Sequence, residues 1–150
     1  MNDKLQIVCA GPAQFGILAE EISAIVPWRE PAALPYAPRS VLGIVSVEGR
    51  MLTVLDLARL QLNDEDMDNR PRLPAGYIVG LRGDEQLALA VDSVGEKIEL
   101  GEADSLIQPE SAQPLLLGVL HRTGAEIRVL NLKELFPLAI HSHERRRRRF

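Results

Sequence analysis

The side chains of this 150-residue chain that could do chemistry unaided are few: one cysteine, three histidines and a run of arginines at Arg145–Arg149. Cys9 lies in the apolar run Leu5-Gln-Ile-Val-Cys-Ala10, where a thiol serves as a small core side chain rather than a nucleophile. A single cysteine excludes an intramolecular disulfide. His121 falls inside a strand-like segment, and His141-x-His143 offers two ligands where a structural zinc site needs four, so no metal is expected. Pro35-Tyr-Ala-Pro38 is formally a Pro-x-x-Pro, but it fits a rigid connection into Gly43 better than a ligand for another domain. There is no phosphate loop, and no titratable side chain stands beside a partner at motif spacing. The expectation is a protein without catalytic residues and without a cofactor.

Charge narrows the partners. The formal net charge is −4, and five of the seventeen cations are Arg145–Arg149, which leaves the rest of the chain at −9. An acidic body repels phosphates, and aromatic residues make up only 4% of the chain, too few to build a base-stacking surface. Nucleic acid is therefore not expected as a partner. A small β-barrel RNA binder working through the Arg tail is the remote alternative. The tail, 141–150, is expected to be flexible and solvated because like charges repel; near an anionic membrane each cation is worth about 1 kcal/mol. With no charged-then-apolar leader and no apolar run near 18 residues, a cytoplasmic location is expected.

The elements that must position any binding surface are duplicated. A shift of 75 residues lays Gly43–Leu60 on Gly118–Leu135 without a gap, and six of the eighteen positions are identical: Gly43/Gly118, Gly49/Gly124, Val54/Val129, Leu55/Leu130, Leu57/Leu132 and Leu60/Leu135. Glycines and branched aliphatics dominate, which is the mark of a repeated turn and core face rather than a repeated active site. His121 aligns with Ser46, a pairing that suggests a tolerated surface position. Upstream, Gln6–Cys9 resembles Tyr77–Gly80, and Phe15–Ile22 resembles Leu87–Val94. Between the halves lies a charged stretch with two prolines and little to bury, read as a linker over 63–75 that joins subdomain 1 (about 5–62) to subdomain 2 (about 76–136).

The apolar runs have strand lengths: Leu5–Ala10, Phe15–Ala19, Ile22–Val26, Gly43–Val47 and Met51–Leu55, then Tyr77–Leu81, Leu87–Val91, Val94–Leu100, Gly118–Leu120 and Ile127–Leu130. Gly49 and Gly124 fit tight hairpin turns. Asp56–Leu62 and Asn131–Phe136 have helical spacing behind an Asp or Asn suited to an N-cap. The fold class is all-β with short helices, as two five-stranded barrels too small to stand alone and so sharing buried surface.

The segment Leu34-Pro-Tyr-Ala-Pro-Arg-Ser-Val-Leu-Gly-Ile-Val-Ser-Val-Glu-Gly-Arg-Met-Leu-Thr-Val-Leu-Asp-Leu57 resembles the signature of the CheW-like family, the coupling proteins of bacterial chemosensory systems. Leu89–Val94 and Leu117–Val119 with Val129–Leu132 resemble further family segments in the same order. The resemblance spans about Leu5 to Phe136. It implies two side-by-side SH3-like barrels and a non-catalytic scaffold that couples the cytoplasmic tips of methyl-accepting chemotaxis receptors to a CheA-type histidine kinase, through the kinase's regulatory domain. The protein would then be cytoplasmic and peripheral to the membrane through receptor arrays.

The resemblance also implies sites. A receptor-binding groove falls on Gly43, Leu87, Ala88, Leu89 and Gly118, although a glycine at a strand start serves backbone geometry whatever binds nearby, and alternate residues of Leu87–Leu89 must be core. A kinase-binding surface falls on Ile22, Ala24, Glu48 and Lys97, with Arg50 beside them. Here the chain departs from the family pattern, with Glu48 where an Arg is usual, Ala24 where an acid is common and Lys97 where an apolar residue is common. Three changes at one surface suggest a different kinase partner, a specialised pilus-type system, or an adaptor that caps arrays by binding receptor but not kinase.

Overall fold

The computed structural model describes residues 4–60, 76–83, 85–101, 107, 115–122, 124–135 and 137. Ten strands form where the ten apolar runs lie: β1 (Lys4–Ala10), β2 (Ala13–Leu18), β3 (Ile22–Pro27), β4 (Val41–Val47), β5 (Arg50–Asp56), β6 (Tyr77–Leu81), β7 (Leu87–Val91), β8 (Ser93–Glu99), β9 (Leu116–Arg122) and β10 (Ala125–Leu130). Behind Asp56 a single helical turn, α1 (Leu57–Leu60), follows; behind Asn131 the equivalent is a 3-10 turn at Leu132–Glu134. Asp56 caps as expected, its Oδ1 accepting the Ala58 amide at 3.2 Å, whereas the Asn131 side chain makes no capping bond.

The strands build two five-stranded sheets, in the orders β8-β1-β2-β10-β9 and β3-β6-β7-β5-β4. Under the 75-residue repeat, β1 to β5 correspond to β6 to β10, and the two orders are then the same order. Each sheet holds one parallel pair, β2 with β10 and β5 with β7, among antiparallel neighbours. The equivalence extends to loop hydrogen bonds. Asp56 N donates to Ser40 O and Asn131 N to Leu115 O, both at 2.7 Å; Ala32 bridges Ile44 as Ile107 bridges Val119.

The sheets do not divide where the sequence halves divide. Each half gives its first two strands to the other half's sheet, so β1 and β2 complete β8–β10 while β6 and β7 complete β3–β5. Subdomains at 5–62 and 76–136 therefore do not coincide with the sheets. Phe15 and Ile17 on β2 and Leu87, Leu89 and Val91 on β7 meet in one shared core between the sheets, so both exchanged hairpins contribute to burial common to the two halves. The proposed linker 63–75 and tail 141–150 lie outside the described residues.

Three apolar layers result. The central one holds Val8, Phe15, Ile17, Leu55, Leu57, Val79, Leu87, Leu89 and Leu130 between the sheets. One outer core (Val45, Val47, Leu52, Val54, Ile78, Ala88, Ala90) lies under the second sheet, and another (Leu5, Ile7, Leu120, Ile127, Val129) under the first. The sheets curl over these outer cores. The chain beyond β3 reaches β4, the opposite edge of its sheet, where Arg29 Nη1 donates to Ser46 O at 2.8 Å; Arg122 Nη1 on β9 reaches Glu99 O on β8 at 2.9 Å. Each curl is fastened by side chains and one isolated bridge, and among the described residues no continuous ladder closes it.

Candidate partner-binding surfaces

The expected groove residues all lie inside the protein. Leu87 is 6% exposed and Ala88 and Leu89 are fully buried. Sequence reasoning anticipated that alternate residues would be core; all of β7 is buried because it has an apolar layer on each face, Leu87 and Leu89 facing the central core and Ala88 an outer one. Gly43 and Gly118 are buried as well. Gly43 has φ 145°, and a Cβ there would stand 2.3 Å from the Ala32 carbonyl oxygen. Its backbone must pass under the strap that bridges Ala32 to Ile44, and this requirement explains the glycine without any partner. The exposed apolar side chains in these strands are others: Leu117 (40%), next to Gly118, and Met51 (59%) on β5. They follow from alternation, since each falls between two buried positions or at a strand's outer face.

Four of the five expected kinase-surface residues come together. β3 begins at Ile22, opposite Leu81, and Ala24 sits opposite Gly80; both are half-buried. The β4–β5 turn stands at the same end of the sheet. Glu48 (φ 50°) and Gly49 (φ 81°) both take left-handed conformations, the pattern of a two-residue hairpin turn that favours Asn-Gly or Gly-Gly. Glu48 is exposed and makes no hydrogen bond or ion pair among the described residues. Arg50 keeps its charge beside the turn but directs its guanidinium to main-chain oxygens. Its Nη1 donates to Leu81 O at 3.5 Å and its Nη2 to Gly83 O at 3.3 Å, tying the β4–β5 turn to the β6–β7 loop. Arg82, which sequence reasoning missed, completes the tie through Nε to Ile22 O at 3.2 Å and its own amide to Glu21 O at 2.8 Å. A lone cation in the loop that bounds two strands was the available signal.

Lys97 is not with them. It is exposed on β8 in the other sheet, opposite Gln6. Gln6 was also missed. At 3% exposure, its Nε2 donates to Gly95 O (2.7 Å), Ile7 O (3.1 Å) and Glu96 O (3.4 Å), filling the bulge where β8 gains a residue against β1.

Among the described residues no three metal-ligating side chains cluster, and no helix is long and apolar enough to cross a membrane. His121 is exposed, opposite Glu126; Cys9 is half-buried.

Residues 4–140 match the family model for the CheW-like domain. This chain belongs to the CheW-like domain family. Two relatives are similar to it along most of their length. The chemotaxis protein CheW of Rhizobium meliloti (strain 1021) is 26% identical over 85% of this chain and 83% of the relative. The chemotaxis protein CheW of Bacillus subtilis (strain 168) is 22% identical over 75% and 70%. The crystal structure of the scaffolding protein TtCheW from Thermoanaerobacter tengcongensis superposes with a TM-score of 0.76 at 20% identity, covering 91% of this chain and 88% of that one, which places the two-sheet fold. CheW-like proteins are scaffolds and adaptors.

Proposed function

We propose that this CheW-like chain is a chemotaxis coupling scaffold that links the cytoplasmic tips of methyl-accepting chemotaxis receptors to the regulatory domain of a CheA-type histidine kinase at membrane receptor arrays. The observation that carries this reading is the family match from residue 4 to 140, across both sheets and the core between them. A coupling protein needs two separate surfaces on one rigid body, and a shared central core supplies the rigidity. The kinase side is assigned to the end of the second sheet, at Ile22, Ala24, Glu48 and Arg50, with Arg50 acting through the turn it holds. The receptor side is assigned to exposed apolar positions beside Gly43 and Gly118, of which Leu117 is one, with the buried glycines and Leu87, Ala88 and Leu89 as its floor. Each contact can be weak, because holding one partner raises the effective concentration of the other into the millimolar range for short connections, on the order of that set by flexible tethers.

A second reading, an adaptor that caps arrays by binding receptor but not kinase, is favoured by one feature. Glu48 leaves the turn acidic while Arg50 donates to main chain. Capture by receptor-tip fragments and by the kinase regulatory domain, each alone and then together, tests both. Binding of each partner and a ternary complex support coupling; receptor binding alone supports the cap; binding of neither refutes both.

A further inference from the structure

The two sheets leave four edge strands, and three of them are guarded. On β4 the edge is paired by Ala32, through Ala32 N to Ile44 O (2.8 Å) and Ile44 N to Ala32 O (2.9 Å). On β9, Ile107 makes the same pair of bonds with Val119 at 2.9 and 2.8 Å. The β8 edge carries exposed Glu96, Lys97 and Glu99. Charges, bulges and covering segments are the ordinary means by which sheet edges are kept from pairing with other molecules.

The fourth edge, β3, differs. Its sequence, Ile22-Ser-Ala-Ile-Val-Pro27, carries no charge, and no described segment pairs with its outer side. The direction of its main chain follows from one bond. Trp28 N donates to Gly76 O at 3.0 Å, so that amide faces β6. Alternation along a strand sends the amides of Val26 and Ala24 the same way and leaves the N–H and C=O of Ile25 on the free side. Pro27 also falls at an outward position, where a missing N–H costs the sheet nothing. Beside this edge runs an apolar strip. Ile25 pairs with Val79 and Pro27 with Tyr77, so the two β3 residues share a face with Tyr77; Ile25 is 36% exposed, Tyr77 39%, and Pro27 is exposed too.

We propose that the β3 edge is a self-association surface, at which a second copy of this chain pairs antiparallel about a two-fold axis through Ile25. The edge is its own complement there, since the Ile25 N–H of each copy meets the Ile25 C=O of the other. An uncharged strand meets its copy without like-charge repulsion, whereas β8, its equivalent in the repeat, carries charges; both strands have a bulge, and that of β3 falls at Ser23, before the stretch centred on Ile25. The pairing sets the two Ile25–Pro27–Tyr77 strips side by side on one face of a ten-stranded sheet. It stops at two copies because the axis uses up the edge, and Pro27 keeps the ladder short. The inference does not rest on the coupling role. It bears on it, because Ile22 and Ala24 also lie on β3 and a paired edge competes with the kinase contact assigned to them.

Sedimentation equilibrium of the full chain across the micromolar to millimolar range is the test, combined with amide hydrogen exchange at Ile25. The expected result is a mass rising from one chain to two with concentration, with Ile25 exchange slowing in step. Ile25→Lys raises the dissociation constant at least about tenfold, by placing a charge at the centre of the pair, while Met51→Lys, exposed elsewhere on the sheet, leaves it unchanged. Circular dichroism confirms that both variants are folded. A wild-type chain that stays monomeric throughout, an Ile25→Lys variant that dimerises like the wild type, or Ile25 exchange indifferent to concentration overturns the proposal. So does a monomer whose Ile25→Lys variant loses only kinase capture, which assigns the edge to the kinase.

Discussion

The Ala32 carbonyl oxygen occupies the space that a side chain at Gly43 would need, 2.3 Å from where a Cβ would stand. The same Ala32 exchanges two hydrogen bonds with Ile44, so the strap cannot move aside without giving up its bridge to β4. Gly43→Ala is expected to destabilise the fold by about 2–4 kcal/mol, combining the clash with a φ of 145°. Gly124→Ala, with φ 76° and open space around its Cβ position, costs only about 1–2 kcal/mol. Urea denaturation of the two variants measures the difference. If Gly43→Ala proves as mild as Gly124→Ala, the strap is mobile and the glycine needs another explanation.

Arg50→Ala removes the donors to Leu81 O and Gly83 O from a half-exposed site, and its expected cost to stability is about 1 kcal/mol. The more telling readout is local. Hydrogen exchange in the β6–β7 loop and the β4–β5 turn should quicken together, while the first sheet is unchanged. Exchange that quickens everywhere by the same factor would mean that Arg50 supports the whole molecule and not the turn.

Asp56 is fully buried, caps Ala58 and lies 3.5 Å from Arg59 Nε. Its counterpart in the repeat is Asn131. Asp56→Asn keeps the capping oxygen, so it is expected to lose about 1 kcal/mol, against about 2 for Asp56→Ala, which also leaves a cavity. Thermal melts of both variants rank them; equal losses would show that the cap contributes nothing.

Gln6→Leu leaves the Gly95 and Glu96 carbonyls without their shared donor and is expected to cost about 1–3 kcal/mol, the penalty for stranding buried polar groups. Nuclear magnetic resonance shifts of β8 should move most at the bulge and at Lys97, which pairs with Gln6. Shifts confined to β1 would contradict the bulge-holding role.

The strands were legible because their signal is local: apolar runs of three to seven residues, broken by Gly, Pro or charged residues. The repeat was legible for the same reason, and the Gly49 and Gly124 turns fell where it placed them. The exchange of hairpins between sheets was not legible, since β2 paired with β10 and β2 paired within its own half bury the same residue types. Site residues suffered from a related limit. Leu87, Ala88 and Leu89 resemble a surface segment in sequence, yet a strand covered on both faces hides all three. Arg50 illustrates the opposite case, where its charge was evident but its destination, two main-chain oxygens 31 and 33 positions away, was not.

The order in which strands are used has a further consequence for synthesis. The second sheet consists of β3 to β7, an unbroken stretch of chain, and can close once residue 91 has left the ribosome. The β1–β2 hairpin emerges first, but its neighbours β8, β9 and β10 emerge last. At about 5–20 residues per second, the hairpin waits on the order of ten seconds for them. Through that interval Phe15 and Ile17 have no first sheet to join, and the nascent chain must keep them from other partners until the final strand arrives.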